Sequence, residues 1–313
     1  MTLLAGFDAG QTRTRCRISQ WQNGTLQVLG EGAGPGVSHL SAPGGEARFQ
    51  RALLESAAAA LAHHPDVVID FAAVGASGIE HGTALQQRAE RLLSDALKLD
   101  RRAVLTTGDE RTALRGAISE GAGIILISGT GMICLGKNGK GQEHRCGGWG
   151  WLLDGAGSAF DLGHQGLQLS LLMADGRLPD HPMRRKLWDV LGCRSNADVK
   201  ARVVQPDFGP AEFAALAPIV VASAVEGCAG AEAVLQRSAA ALAKAVSAVS
   251  HQLCLTAPLL ICQGGAVTHL EEFRDAVKRA IHREVPDLHW GIAEGDACDG
   301  ALLMAEDRML RQR

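Results

Sequence analysis

Gly6-Phe7-Asp8-Ala9-Gly10-Gln11-Thr12 sets a carboxylate among small residues at the end of an apolar stretch. Small residues let a backbone approach phosphate oxygens, amide N–H groups donate without side-chain bulk, and a carboxylate beside them holds Mg²⁺ through water. By itself the pattern is equally that of a glycine-rich hairpin turn with an ordinary Asp. Ser128-Gly129-Thr130-Gly131 offers the same equipment after a second apolar strand, a hydroxyl pair on a flexible backbone. One nucleotide phosphate tail shared by both loops accounts for the two together.

Thr106-Thr107-Gly108-Asp109-Glu110-Arg111-Thr112-Ala113 lies where a strand hands over to a helix. Asp109 is placed to be the N-cap of that helix, and a carboxylate at a strand end can also take the proton from a hydroxyl that attacks a γ-phosphate. The two roles are compatible. The stretch from Gly147 to Ser158 gathers Trp149 and Trp151 among five glycines. An exposed Trp149 suits the apolar face of a sugar ring and Asp154 could accept from its hydroxyls; a buried Trp supporting a turn fits the residues as well. Gly264-Gly265 ends an apolar strand before a helix, where adenine could lie against bare backbone, although a strand-to-helix turn explains it nearly as well. Small residues at 297, 300 and 301 share one face of the last helix and point to close helix packing, expected at the interface of the two lobes.

These residues need an α/β frame. Alternating or continuous apolar runs predict strands at about 3–9, 13–19, 25–30, 67–75, 103–107, 123–128 and 131–136, with helical spacing at 46–63 and 83–98. Beyond residue 155 the chain turns helical, at about 157–175, 182–192, 211–228 and 230–255, with strands returning at 259–263 and 289–292. Strand, glycine turn and strand occur both at residues 6–19 and at 127–136, so two lobes built alike are expected. The expected division is 1–117, completed by a helix at 297–313, and 118–296.

Composition agrees with two ordinary cores: 313 residues, 46% hydrophobic and 21% charged. Net charge is −3, with both signs mixed along the chain, so no nucleic-acid surface is expected. No apolar run of membrane length appears, and the first residues lack an export pattern, so a cytoplasmic protein without a membrane partner is expected. The 8 cysteines form no C-x-x-C pair and read as reduced packing thiols; His144-x-Cys146 has no second pair at zinc spacing.

Taken in chain order, these elements resemble the nucleotide-binding pattern of the superfamily that includes hexokinase, actin and the heat-shock chaperone ATPases. Within it the chain is most similar to the glucosamine and N-acetylglucosamine kinases of the BadF/BadG/BcrA/BcrD-type ATPase group, through Ser128-Gly129-Thr130-Gly131, Gly147-Gly148-Trp149-Gly150 and the Asp-Ala-x-x-Gly-Ala-Leu ending at Asp296–Leu302. The resemblance implies a two-lobed actin-like, ribonuclease H-like α/β fold with a more helical second lobe, and transfer of phosphate from ATP with Mg²⁺ to the 6-hydroxyl of an amino sugar.

Carried over by position, it implies Asp109 as base, Asp8 near the metal, and Gly10, Gln11, Thr12, Ser128, Gly129, Thr130 and Gly131 on the phosphates. It further implies Gly264 and Gly265 at the adenosine, and Gly36, Ser77, Gly78, Gly148, Trp149, Gly150 and Asp154 beside the sugar. Lobe closure on the sugar and a homodimer are further expectations of this kind. Asp154-Gly155-Ala156-Gly157-Ser158 displaces the carboxylate of these relatives by one position, and Val37 stands where they often carry Asn, so the acceptor need not be their usual one. Two other readings belong to the same superfamily, an ATPase that drives change in a partner enzyme and a sugar sensor without catalysis. The first carries cluster cysteines beside the second phosphate loop, and here Ser128 runs directly into Gly129.

Overall fold

The computed structural model describes residues 2–64 and 66–312. These fall into two compact units: one takes the chain as far as Gly121 and again from Ile292, and the other is Ala122–Gly291. The edges lie a few residues away from the expected 117 and 296.

In the first unit β1 (Thr2–Ala9), β2 (Arg13–Gln22) and β3 (Thr25–Pro35) form an antiparallel meander. After α1 (Gly45–Ala60) come β4 (Phe71–Ala76), α2 (Ala84–Leu97), β5 (Val104–Thr107) and α3 (Asp109–Ala117). The sheet order is β3-β2-β1-β4-β5, with β4 parallel to β1 and β5 parallel to β4. β1 is buried along almost all of its length, which is why Leu3-Leu4-Ala5-Gly6-Phe7 reads as an unbroken apolar run and not as an alternation.

The second unit opens with its own meander, β6 (Gly123–Ser128), β7 (Met132–Lys137) and β8 (Glu143–Gly147). A helical stretch follows: α4 (Ala159–Ala174), α5 (Pro182–Leu191), α6 (Asn196–Val203), α7 (Pro210–Ala214), α8 (Ala217–Val225) and α9 (Ala229–Gln252). Then come β9 (Leu259–Gln263), α10 (Gly265–His269), α11 (Glu271–Glu284) and β10 (His289–Trp290), in a sheet ordered β10-β9-β6-β7-β8. The final α12 (Ala297–Leu310) belongs to the first unit. Each sheet is therefore a three-stranded meander followed by two strands added in parallel, the likeness that the two glycine turns predict.

Ile124, Leu126, Leu162, Leu242, Phe273 and Ile281 are among the fully buried core of the second unit. In the first, Phe7, Ile18, Phe49, Leu53 and Val74 fill one side of the sheet, and Leu4, Ala73, Leu302 and Met309 the other. α12 crosses α3 at glycines: a Cβ on Gly116 would collide with the carbonyl oxygen of Asp296, and one on Gly300 with that of Thr112. The small residues of the last helix serve this contact, which lies within the first unit and not at the lobe interface that the sequence suggests, because α3 and α12 cover the same sheet.

Several elements differ from expectation. Residues 67–70 are not strand; β4 starts at Phe71, and Asp70 just before it accepts the N–H of Leu3 at 2.8 Å. The helix expected over 211–228 is two, α7 and α8, with Pro218 in the first turn of the second. β8 and α6 were not expected, and β3 continues to Pro35.

Candidate active site

In the first unit the turn after β1 is closed by Gly10 N–H donating to Arg13 O at 3.1 Å, and Val37 N–H donates to Gly10 O at 3.0 Å. Gly36 lies so close to Gln11 that a Cβ there would strike the Gln11 carbonyl. Ser77 N–H donates to Ala9 O at 3.0 Å, and Gly78 follows at φ 80° with His39 against it. Asp8, Gly10, Gln11, Thr12, Gly36, Ser77 and Gly78 are thus gathered at one end of the sheet, where β1 and β4 both finish. Val37, in contrast, is 3% exposed and packs in the core behind this turn, so it meets apolar neighbours and not a ligand.

Asp109 does not cap α3. Gly108 holds the N-cap position and Asp109 is the first helical residue, half-buried, so its carboxylate does not serve as the N-cap. Burial first, then the negative charges of Glu110 and Asp8, push the Asp109 carboxyl up to about 7, against the opposing pull of backbone N–H groups at the helix start. Asp8 being one of those charges puts the candidate base and the candidate metal carboxylate within electrostatic reach of each other. A base with that affinity accepts a proton near neutral pH and can give it up again.

Mg²⁺ fits Asp8. Among the described residues no group of three or more His, Cys, Asp or Glu forms a metal cage. A single carboxylate whose Oδ1 accepts no hydrogen bond among the described residues matches an ion that keeps most of its water and binds phosphate oxygens.

In the second unit Gly129 N–H donates to Gly131 O at 2.9 Å, tightening the hairpin between β6 and β7. Thr130 and Gly131 are exposed. Ser128 is fully buried and its hydroxyl donates to Gly157 O at 2.8 Å, so that hydroxyl braces the loop at 155–158 in place of reaching outward. The start of α4 returns the tie: Ala159 N–H donates to Gly129 O at 2.8 Å and Phe160 N–H to Thr130 O at 3.3 Å. Gly264, at φ 98°, presses on the Ser128–Gly129 peptide so closely that a Cβ would collide with it. The hairpin and Gly264-Gly265 therefore form one continuous bare-backbone surface.

Gly148 and Gly150, at φ 78° and 89°, hold Trp149 out of the loop with 59% of its surface exposed. Arg145 was not singled out from the sequence, yet its guanidinium lies 4.4 Å from the Trp149 ring centroid and donates to Gly147 O at 3.0 Å and Gly148 O at 2.6 Å. Asp161 was missed as well: it accepts from Gly157 N–H at 2.8 Å and Ser238 Oγ at 2.6 Å, fixing the loop that carries Asp154. Asp154 Oδ2 is buried without a hydrogen-bond partner among the described residues. A buried carboxylate oxygen left in that state calls for a donor.

The BadF/BadG/BcrA/BcrD ATPase family matches residues 5–305, nearly the full length. The chain belongs to this family. A curated relative, the N-acetylmuramic acid/N-acetylglucosamine kinase of Clostridium acetobutylicum, is 27% identical over 204 residues, 64% of this chain and 67% of that protein. A solved structure assigned as an N-acetylglucosamine kinase, from Chromobacterium violaceum, superposes with a TM-score of 0.74 at 28% identity, covering 97% of this chain and 99% of that one. The ROK hexokinase of Thermus thermophilus, at 15% identity and a TM-score of 0.56 over 99% of both chains, shares the fold. By family and fold this member is an enzyme of the sugar-kinase kind, with the two-sheet α/β architecture of actin-like ATPases.

Proposed function

We propose that this family member transfers the γ-phosphate of ATP to the 6-hydroxyl of an amino sugar such as N-acetylglucosamine or glucosamine, with Asp109 as general base. The observation that carries the reading is the Asp109 carboxyl itself, uncommitted to capping, beside Asp8, and held near 7. The names of the Clostridium and Chromobacterium relatives support the acceptor class.

In this reading Asp109 accepts the proton of the attacking hydroxyl as the oxygen bonds to phosphorus, and ADP leaves. Mg²⁺, when bound, screens the phosphate charges. Asp8 holds its water shell, the backbones of Gly10–Thr12 and Gly129–Gly131 donate to phosphate oxygens, and Gly264 and Gly265 accept the adenosine. Trp149, braced by Arg145, offers an apolar face to the sugar ring, and the unpartnered oxygen of Asp154 accepts from one of its hydroxyls. A soluble cytoplasmic homodimer belongs to the same proposal; among the described residues no single helix is long and apolar enough to cross a membrane.

A coupled ADP-release assay across glucosamine, N-acetylglucosamine, N-acetylmuramic acid and glucose tests the reading, with phosphorus NMR locating the new ester. Sugar-dependent turnover with the ester at carbon 6 is expected. ATP hydrolysis indifferent to every sugar would turn the reading toward a partner-driving ATPase, and sugar binding with no ADP released toward a sensor.

A further inference from the structure

β2 carries arginines at 13, 15 and 17, alternate positions that share one face of the strand. Arg15 donates to Asp8 Oδ2 through Nε at 3.2 Å and through Nη2 at 2.8 Å, and its Nη1 donates to Asp296 Oδ2 at 2.8 Å. Asp296 is the N-cap of α12, accepting from Cys298 N–H at 2.9 Å and Asp299 N–H at 3.1 Å through its other oxygen. Arg17 extends the chain of charges, donating to Asp296 Oδ1 at 3.1 Å, to Asp299, and to Glu31 Oε1 at 2.7 Å. Asp8 is thereby tied, through one planar guanidinium, to the capped start of the last helix.

Among the described residues every hydrogen bond to the Asp8 side chain ends on Oδ2. Two donors of one rigid guanidinium converge on that single oxygen while a third reaches Asp296, so Oδ2 is pinned against a fixed anchor, which the single-point ammonium of a lysine cannot reproduce. A carboxylate that must meet the water shell of a nucleotide-bound metal gains from being fixed beforehand, because the partners that orient a metal's contacts set its affinity.

We propose that Arg15 is a positioning residue for the nucleotide's Mg²⁺: it holds Asp8 Oδ2 against the start of α12 and leaves Oδ1 turned toward the metal's water shell. This rests on the reading of Asp8 as the metal carboxylate. Arg15 touches neither substrate nor metal; it acts through Asp8. Nothing in the β1–β2 turn requires an arginine at this position, since the turn is closed by backbone hydrogen bonds alone.

The test measures binding of a nonhydrolysable ATP analogue to the full chain, with Mn²⁺ followed by electron paramagnetic resonance and a parallel titration in EDTA. Arg15→Gln is expected to weaken Mn²⁺ binding in the nucleotide complex about 10-fold or more. Nucleotide affinity in EDTA should stay unchanged, and Arg15→Lys should recover part of the loss. Asp296→Asn keeps a capping side chain and removes the other anchor of Arg15, so a smaller loss of the same kind is expected. Should Arg15→Gln fail to fold, the Lys and Asp296→Asn variants decide. Wild-type Mn²⁺ binding in the variants that fold overturns the proposal. So does tighter Mn²⁺ binding, which would make Arg15 a competitor of the metal, or a loss of equal size in EDTA, which would make it a brace for the turn. Because no sugar is present, failure of the acceptor assignment and failure of this inference give different results.

Discussion

At the scale of single residues the proposed chemistry depends on one carboxyl group. Asp109 has an ordinary value of 3.8 and is raised to about 7 in the folded chain, so its proton is bound more tightly folded than unfolded. The activity consequence is a basic requirement: kcat/KM should climb with pH and reach half its plateau near 7, and Asp109→Asn should lower kcat by about 10²–10⁴ at every pH on that plateau. The stability consequence runs the other way. Stabilisation by the bound proton is fully present below 3.8 and is lost as pH rises through about 7. Asn cannot ionise, so Asp109→Asn should melt a few degrees above the wild type at pH 8, on the order of 1–2 kcal/mol, with the gap closing at pH 4. A variant less active and less stable at pH 8 would mean that the carboxylate is paired and not strained. Asp154 offers a second residue-scale test. Its partnerless Oδ2 gives no stability to the free protein, so Asp154→Ala should leave the melting temperature close to wild type while raising the sugar KM by about 10-fold or more and sparing the KM for ATP.

At the scale of elements, Asp109 is only as well placed as α3, and α3 is seated by its crossing with α12. Gly300 and Gly116 are the contact, backbone against backbone, with no flexible side chain to move aside. Gly300→Ala should therefore force the helices apart, cost about 1–3 kcal/mol, and lower kcat along with stability because the base shifts. Gly139→Ala, in open space, should change neither. Thermal melts and steady-state rates on the two variants separate a local steric effect from a general intolerance of alanine. The same crossing explains what the sequence could and could not reveal. Small residues at 297, 300 and 301 announce a close contact but not its partner, which is brought in by tertiary structure. β1 and β6 are legible because continuous burial selects continuous apolar residues. β8, Glu-His-Arg-Cys-Gly on the sheet edge, carries neither alternation nor β-branched residues, and its pairing with β7 alone makes it a strand. The glycine turns were readable because their chemistry is local. The bracing by Arg15 and Asp161 was not, since Arg15 and Asp296 stand 281 positions apart, Asp161 and Ser238 77, and each pair meets only through the fold; Arg145 acts on near neighbours, but no motif sets it apart from the other arginines. Val37 and Ser128 err in the opposite sense: each lies in a functional-looking motif, and each is turned inward.

At the scale of the whole molecule, the two units are closed by different means. Ala122–Gly291 is one unbroken length of chain with its own sheet and core. The other unit is assembled from both ends of the sequence, and α12 supplies the apolar residues that cover Leu4 and Ala73 on one side of its sheet. Residues 122–291 expressed alone should then melt cooperatively, whereas residues 2–121 should not, because that side of β1 and β4 is left open to water. Glu294 N–H donates to Ala117 O at 3.1 Å, so the two stretches of the split unit pass next to each other, and residues 2–121 joined directly to 292–312 should restore cooperative melting. The candidate groups divide between the units, with Asp8 and Asp109 in one and Gly129–Gly131 and Gly264-Gly265 in the other. Neither fragment should release ADP in the presence of sugar, even where circular dichroism shows it folded. A joined 2–121/292–312 fragment that stays unfolded would mean that α12 needs more than its own unit to dock, and a fragment of either kind that turns over ATP with sugar would mean that the phosphate contacts are not shared as proposed.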